Sequence, residues 1–198
     1  AFRLTFTPPK TATALDSTAF LRPKRLMIRL DVSTSTLCVF GHNVRAAIGK
    51  GGLVPANEKR EGDGATPIGT WHVQGALLRP DRIATPRTSL PWRWLRPTDG
   101  WSDDIHDPGY NRPITHPHAF SAERLWREDN AYDIILLLDH NSHPPVPGAG
   151  SAIFWHLAQP DWRPTEGCIA IDREAMLEIL PRLEAGQQLA VETPPRPA

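Results

Sequence analysis

Residues 150–171 read Gly-Ser-Ala-Ile-Phe-Trp-His-Leu-Ala-Gln-Pro-Asp-Trp-Arg-Pro-Thr-Glu-Gly-Cys-Ile-Ala-Ile. The run Ala152–Leu157 is short, apolar and aromatic, which fits a buried strand better than a helix, and it delivers His156 near its end. Pro160 and Pro164 break the chain that follows. Thr165-Glu166-Gly167 then delivers Cys168 at the head of a second apolar segment, Ile169-Ala170-Ile171. Laid side by side as antiparallel neighbours, the two segments bring an imidazole and a thiol together. A thiol with the ordinary pKa near 8.5 is only about 3% thiolate at neutral pH. Lowering it to roughly 6.5 gains ~25-fold in thiolate, and the accompanying fall in basicity takes back most of a factor of ten. His156 therefore matters chiefly as a proton shuttle, a role worth typically ~10²–10⁴-fold. Gly167 gives the backbone a conformation closed to other residues, and the amides of Gly167 and Cys168 are candidates to face a developing oxyanion. The Thr165 hydroxyl is placed to orient the loop or a substrate carbonyl. In the competing reading Cys168 is a small buried hydrophobe and His156 merely satisfies a backbone partner.

Outward from this segment, Tyr132–Leu138 is an almost uninterrupted apolar run of the length of a central strand. After Ile171, Asp172 is placed to cap a helix over about 172–185, with Ala175, Met176, Ile179, Leu180 and Leu183 on one face and Gly186 as its stop. Gln188–Glu192 supplies a last strand. Upstream, Leu26, Ile28 and Leu30, then Leu37 and Val39, then Val44, Ala46 and Ile48 alternate around a Gly41-His42-Asn43 turn and predict a β-meander. Thr70–Val73 is a further strand. A short helix is expected at 121–129, with Ser121 as cap and Leu125 and Trp126 on one face. Residues 80–120 hold seven prolines together with Trp92, Trp94, Trp101, Tyr110 and Phe120. Such a stretch reads as a long, aromatic-pinned loop, either a functional lid or a cover over a small core. Residues 1–24 read as an N-terminal edge segment, 25–192 as one domain and 193–198 as a Pro-rich tail.

Composition narrows the class. Of 198 residues, 22 are Lys or Arg and 22 Asp or Glu, so there is no net field to attract nucleic acid or anionic lipid. Seven Trp and 40% hydrophobic content are too apolar for disorder, whereas 21 Pro and 14 Gly are too many for a helical bundle. The expected class is mainly β with long ordered loops. Two cysteines cannot build a disulfide framework, and Cys38, in an alternating strand, is assigned to the core. His42 reads as a solvated turn residue. The Gly-rich stretch 49–64 lacks the spacing of a phosphate-binding loop. His116, His118, His140 and His143 lack metal-ligand spacing and read as loop-surface residues; neither metal nor cofactor is expected. No apolar run is long enough for a membrane span or a signal segment, although the chain begins without Met. A monomer is the default.

The segment resembles the catalytic pattern of the L,D-transpeptidase catalytic-domain (YkuD-like) family: a His, a variable loop, then Ser or Thr, any residue, Gly and Cys. His156 and Thr165-Glu166-Gly167-Cys168 match it position for position. Gly62-Asp63-Gly64-Ala65-Thr66-Pro67-Ile68-Gly69-Thr70-Trp71 resembles the family's strand-leading segment. Gly100-Trp101-Ser102-Asp103-Asp104, Tyr110-Asn111-Arg112-Pro113 and Leu125-Trp126-Arg127 are similar to a bacterial branch, so the resemblance runs from about Leu26 to Val191. It implies a β-sandwich with mixed sheets and acyl transfer through a Cys168 thioester on peptidoglycan stem peptides. Cys168 would attack the carbonyl before a terminal D-amino acid, and His156 would activate the acceptor amine. Water in place of the amine would make the site an L,D-carboxypeptidase. A cell-envelope or periplasmic setting is implied, with the cytoplasm left open because no signal peptide is visible. Trp92, Trp94, Trp101 and Trp162 are the substrate-binding candidates; in an inert peptidoglycan-binding module they would be the recognition surface. A papain-like hydrolase is disfavoured because there the Cys precedes the His. One departure stands out: many members carry Arg or Asn two residues after the nucleophile, where this chain has Ala170. The loop from His156 to Cys168 is short, so a lid is expected from residues 80–120.

Overall fold

Buried and exposed residues alternate along β1 (Ile28–Asp31) and β2 (Thr36–Val39), and β3 (His42–Ala47) completes the expected meander in the computed structural model, which describes residues 27–192. The readings of 1–24 as an edge segment and 193–198 as a tail lie outside the described residues. Parity decides the fate of Cys38: Leu37 and Val39 take the core face, so Cys38 between them faces solvent, correcting its assignment to the core. His42 is exposed, as expected, but it opens strand β3 opposite Val39 and does not lie in the turn.

The longest strand, β5 (Thr66–Leu78), organises the rest. Its Gly69–His72 stretch pairs antiparallel with β13 (Gln188–Glu192), and Val73–Leu78 pairs antiparallel with β10 (Ile134–Leu138). A bulge between Leu137 and Leu138 accompanies the change of direction. β13 runs parallel to β1, β10 runs antiparallel to β11 (Phe154–Leu157), and β12 (Ile169–Ile171) pairs antiparallel with the last residues of β3. The ten-stranded sheet thus closes on itself through the β5–β10 pairing, with β4 (Leu53–Pro55) and β6 (Trp92–Trp94) added parallel to β5. Strands β3 and β5 turn the corners of a sandwich by belonging to both layers.

Period-two geometry then sorts the side chains. Ile134, Leu136, Leu138, Trp155, Leu157, Ile169 and Ile171 point between the layers into the main core. Ile135, Leu137, Phe154 and Cys168 point the other way into a second cluster with Leu125 and Trp101. A small antiparallel sheet of β7 (Asp99–Ser102), β8 (Pro113–Thr115) and β9 (Ala122–Arg124), in the order β8-β7-β9, contributes to that cluster.

Three expectations change. No helix forms over 121–129; Ala122–Arg124 is a strand whose backbone is spent on the ladder with β7, and the Leu125 N–H donates to Asp99 O at 3.1 Å. Leu125 is buried from this extended chain, and Trp126 is covered by the Arg79 guanidinium at 3.8 Å, so neither needs a helical face. Residues 80–120 are not one loop, because β6, β7 and β8 form within them. The helix after Cys168 is shorter than expected. Asp172 caps it by accepting from the Ala175 N–H at 2.9 Å, but α1 (Arg173–Ile179) tightens to a 3-10 turn over Leu180–Arg182, where Pro181 cannot donate.

Candidate active site

β11 and β12 are parallel, not antiparallel as expected, with Trp155 opposite Ile169 and His156 opposite Ala170. The alternation that reads as a strand does not encode its direction, and the 158–168 connection carries the chain back before β12 starts. The outcome for the site is the same. His156, Ala170 and, one pleat earlier, Cys168 share the outer face of the sheet and line a cleft of about 530 Å³. Tyr132, Glu123 and Arg127 line it as well, with Glu61 and Asp103. None of these five follows from the spacing of the Cys and His segment. The composition of Leu125-Trp126-Arg127 and Gly100–Asp104, both noted for resemblance, was the available signal.

Both central groups are buried. The Cys168 thiol donates to Ala152 O at 3.1 Å, and its sulfur accepts the Phe154 N–H at 3.3 Å. Burial pushes the thiol up to about 12, and the nearby Glu123 charge works in the same direction. His156 Nδ1 lies 2.9 Å from Leu157 O. A carbonyl only accepts, so Nδ1 carries the proton and Nε2 the lone pair. Burial lowers the imidazole to about 4. At neutral pH the resting site therefore holds a thiol and a neutral imidazole, not an ion pair.

The loop before Cys168 is built from both sides. Gly167 sits at φ +129°, in the region that favours glycine, and a Cβ there would lie 2.9 Å from Ala65 O. Thr165 Oγ1 donates to Cys168 O at 2.6 Å and accepts the Gly167 N–H at 3.2 Å. Its hydroxyl thus orients the loop, and the Gly167 amide is engaged inside the same turn. The Thr165 N–H donates to Ile48 O at 2.9 Å, and the Lys50 N–H to Thr165 O at 2.8 Å. At the start of β5, Thr66 Oγ1 donates to Gly167 O at 2.9 Å and accepts the Gly49 N–H at 2.9 Å. The segment Gly62–Trp71 is therefore a clamp on the loop that presents the sulfur.

The tryptophans take other places. Trp101 is buried edge-on to Phe154, with ring centroids 5.1 Å apart, and its Nε1–H donates to Asn111 Oδ1 at 2.8 Å. Asn111 Oδ1 also accepts the Ala152 N–H at 3.1 Å, so Trp101 buttresses the residue whose carbonyl holds the thiol. Trp92 and Trp94 pack edge-to-face, 4.9 Å apart, against the main core. Trp162 is half-buried under the Arg45 guanidinium at 4.3 Å. None of the four lines the cleft. Contrary to the surface reading, His140 is buried, edge-on to Trp71 at 4.8 Å, with Nε2 3.1 Å from Ala149 O. His118 Nε2 lies 2.6 Å from Asp107 Oδ2. No group of three or more His, Cys, Asp or Glu among the described residues is arranged to hold a metal ion. Nor is any helix there long and apolar enough to cross a membrane.

A mixed β-sandwich that presents a thiol and an imidazole in one cleft defines the class, a cysteine–histidine β-domain. The sequence matches the family model of the L,D-transpeptidase catalytic domain over residues 24–191, and the chain belongs to that family. Similar solved structures include L,D-transpeptidase 1 of Mycobacterium tuberculosis, with 16% identity, a TM-score of 0.39 and coverage of 84% of this chain and 58% of that one. An L,D-transpeptidase from Mycobacterium smegmatis gives 14% identity, a TM-score of 0.40 and coverage of 85% and 58%. The chain thus spans 58% of the length of each of these two structures. No curated protein matches the sequence.

Proposed function

We propose that residues 25–192 form one catalytic domain, a cysteine acyltransferase of the L,D-transpeptidase type that acts on peptidoglycan stem peptides in the cell envelope. The observation that carries this reading is the placement of Cys168 and His156 on one sheet face in one cleft, with Nδ1 of His156 tied to Leu157 O so that Nε2 is the base. The Cys168 sulfur attacks the carbonyl carbon preceding a terminal D-amino acid while Nε2 takes the thiol proton. The C–N bond of the tetrahedral adduct then breaks, and the imidazolium returns the proton to the departing amine. A thioester remains on Cys168. The acceptor amine attacks it, gives its proton to Nε2 and leaves as the new amide, and the sulfur regains the proton. The backbone amide of Cys168 is the candidate donor to the oxyanion, since the Gly167 amide is held by Thr165. Trp92, Trp94 and Trp101 pack against the two cores, which leaves half-exposed Trp162 as the remaining member of the aromatic surface a purely binding module would use and supports the catalytic reading.

The neutral resting pair sets the pH dependence. The base is active when unprotonated, so kcat/KM falls only as pH drops toward the imidazole value of about 4, and the alkaline limb lies toward the thiol value of about 12. A flat profile from about pH 6 to 9 is expected, with no thiolate ultraviolet absorbance at rest. A bell centred near neutrality, with thiolate absorbance rising on its acid limb, would show a preformed ion pair instead. Incubation with a disaccharide tetrapeptide followed by mass analysis tests the function itself. Loss of the terminal D-amino acid with crosslinked dimers is expected for transfer, and loss without dimers for hydrolysis. An unchanged mass with stems of either tripeptide or tetrapeptide length would overturn the assignment.

A further inference from the structure

Tyr132 sits where three parts of the cleft meet. It is buried, and its ring meets the His156 imidazole edge-on at 5.1 Å and 80°. The same ring lies 6.2 Å from Phe154, and the Arg127 guanidinium stands 5.1 Å from its centroid. The hydroxyl donates to Glu123 Oε1 at 2.7 Å. Tyr132, Glu123 and Cys168 all line the same cleft. His156 is thus fixed at Nδ1 by Leu157 O and across its ring by Tyr132. We propose that Tyr132 is a positioning residue for the Cys168–His156 pair: its ring braces the imidazole, and its hydroxyl holds the Glu123 carboxylate in the cleft that the sulfur lines.

The proposal rests on the acyltransfer reading above and adds a control element to it. A phenol has one proton to donate. At rest it goes to Glu123, whose own charge raises the thiol. Burial raises Glu123 most, the Tyr132 hydroxyl and Arg127, 4.0 Å away, oppose it, and Asp103 and Glu61 add to it; Arg127 itself donates to Asp129 through Nε at 2.9 Å and Nη2 at 2.7 Å. When Glu123 is neutralised, by a proton or by a cationic group of a bound substrate, the negative charge that shares the cleft with the sulfur disappears and the thiolate forms more readily.

Alkylation of Cys168 by iodoacetamide reads this without any wall substrate, in a Cys38→Ser background so that a single thiol reports. Glu123→Gln should speed alkylation between pH 7 and 9 by roughly tenfold, equivalent to one unit in thiol pKa. In a Tyr132→Phe background the same change should gain only about threefold, because a Glu123 no longer held by the hydroxyl is free to turn away from the sulfur. Tyr132→Leu should lower kcat about tenfold with KM little changed and should abolish the single Nδ1–H tautomer in the ¹⁵N spectrum of His156. Tyr132→Phe, which keeps the ring, should preserve that tautomer. Thermal unfolding identifies any variant that fails to fold, and Tyr132→Phe with Glu123→Gln decide the matter if Tyr132→Leu does. Slower or unchanged alkylation in Glu123→Gln, or an equal gain with and without the hydroxyl, overturns the proposal. Failure of wild-type protein to process stem peptides would sink the proposed function while leaving the alkylation result readable.

Discussion

Cys168→Ala is expected to lower release of the terminal D-amino acid from a stem tetrapeptide by at least ~10⁴-fold, while Cys38→Ala leaves it within about twofold. The contrast follows from position. Cys168 lies in the cleft beside His156, with its sulfur held between the Ala152 carbonyl and the Phe154 amide. Cys38 is exposed on β2. Under the proposed mechanism, truncating Cys168 leaves Nε2 of His156 with no proton to take, and the remaining donors can only polarise a carbonyl that nothing attacks. Stability should fall by about 1–3 kcal/mol, because the sulfur's contact to Ala152 O is lost and the buried Phe154 N–H loses its acceptor. His156→Gln should be less severe, ~10²–10⁴-fold, since the thiol remains but must ionise unaided. Initial rates by mass analysis, with thermal unfolding as the fold control, check all three. Loss of activity in Cys38→Ala alone would sink the assignment of the nucleophile.

Gly49→Ala should cost roughly 10²-fold in kcat although residue 49 is outside the cleft lining. A Cβ at Gly49 would meet Gly64 O at 2.2 Å and the backbone of Ala65 and Gly167 at 3.0 Å. All three neighbours are main chain, so no side-chain end can swing aside. The Gly49 N–H is also the donor to Thr66 Oγ1, which in turn holds Gly167 O. Relief must therefore come from moving the loop that presents the sulfur. Overpacking costs typically ~1–3 kcal/mol, and a displacement of about 1 Å at a reacting group can cost ~10²-fold in rate. Gly41→Ala is the matched comparison: its Cβ would meet nothing within 4 Å, and only φ +87° opposes it. That variant should lose about 1–2 kcal/mol of stability and keep its kcat. Equal kcat values for the two variants would refute the clamp.

Much of this arrangement is legible in the chain because period two sorts residues by parity. The main-core and cleft faces of β10, β11 and β12 follow from Ile134 to Leu138, Phe154 to Leu157 and Cys168 to Ile171 taken alternately. Parity also explains what misled the reading of Cys38, where a strand was recognised but its solvent face was not. Strand direction is invisible to such a pattern, so β11 and β12 were expected antiparallel and are parallel. The 121–129 helix rested on two apolar residues and a cap; in the fold that backbone is claimed by β7, a partner about twenty residues earlier. Likewise the tryptophans announced a pinned region but not its direction, and three of the four pack inward. The charged wall of Glu61, Asp103 and Glu123 comes from segments far apart in the chain, and no local spacing joins them.

The pairing of β1 with β13 has a mechanical side. The two strands are parallel neighbours, with Ile28 opposite Leu189 and Asp31 opposite Glu192. The described chain enters at the start of one and leaves at the end of the other, so the two points of attachment lie at opposite ends of the same ribbon. Tension applied between them slides the strands lengthwise and loads their hydrogen bonds together, instead of opening them one at a time like a zipper.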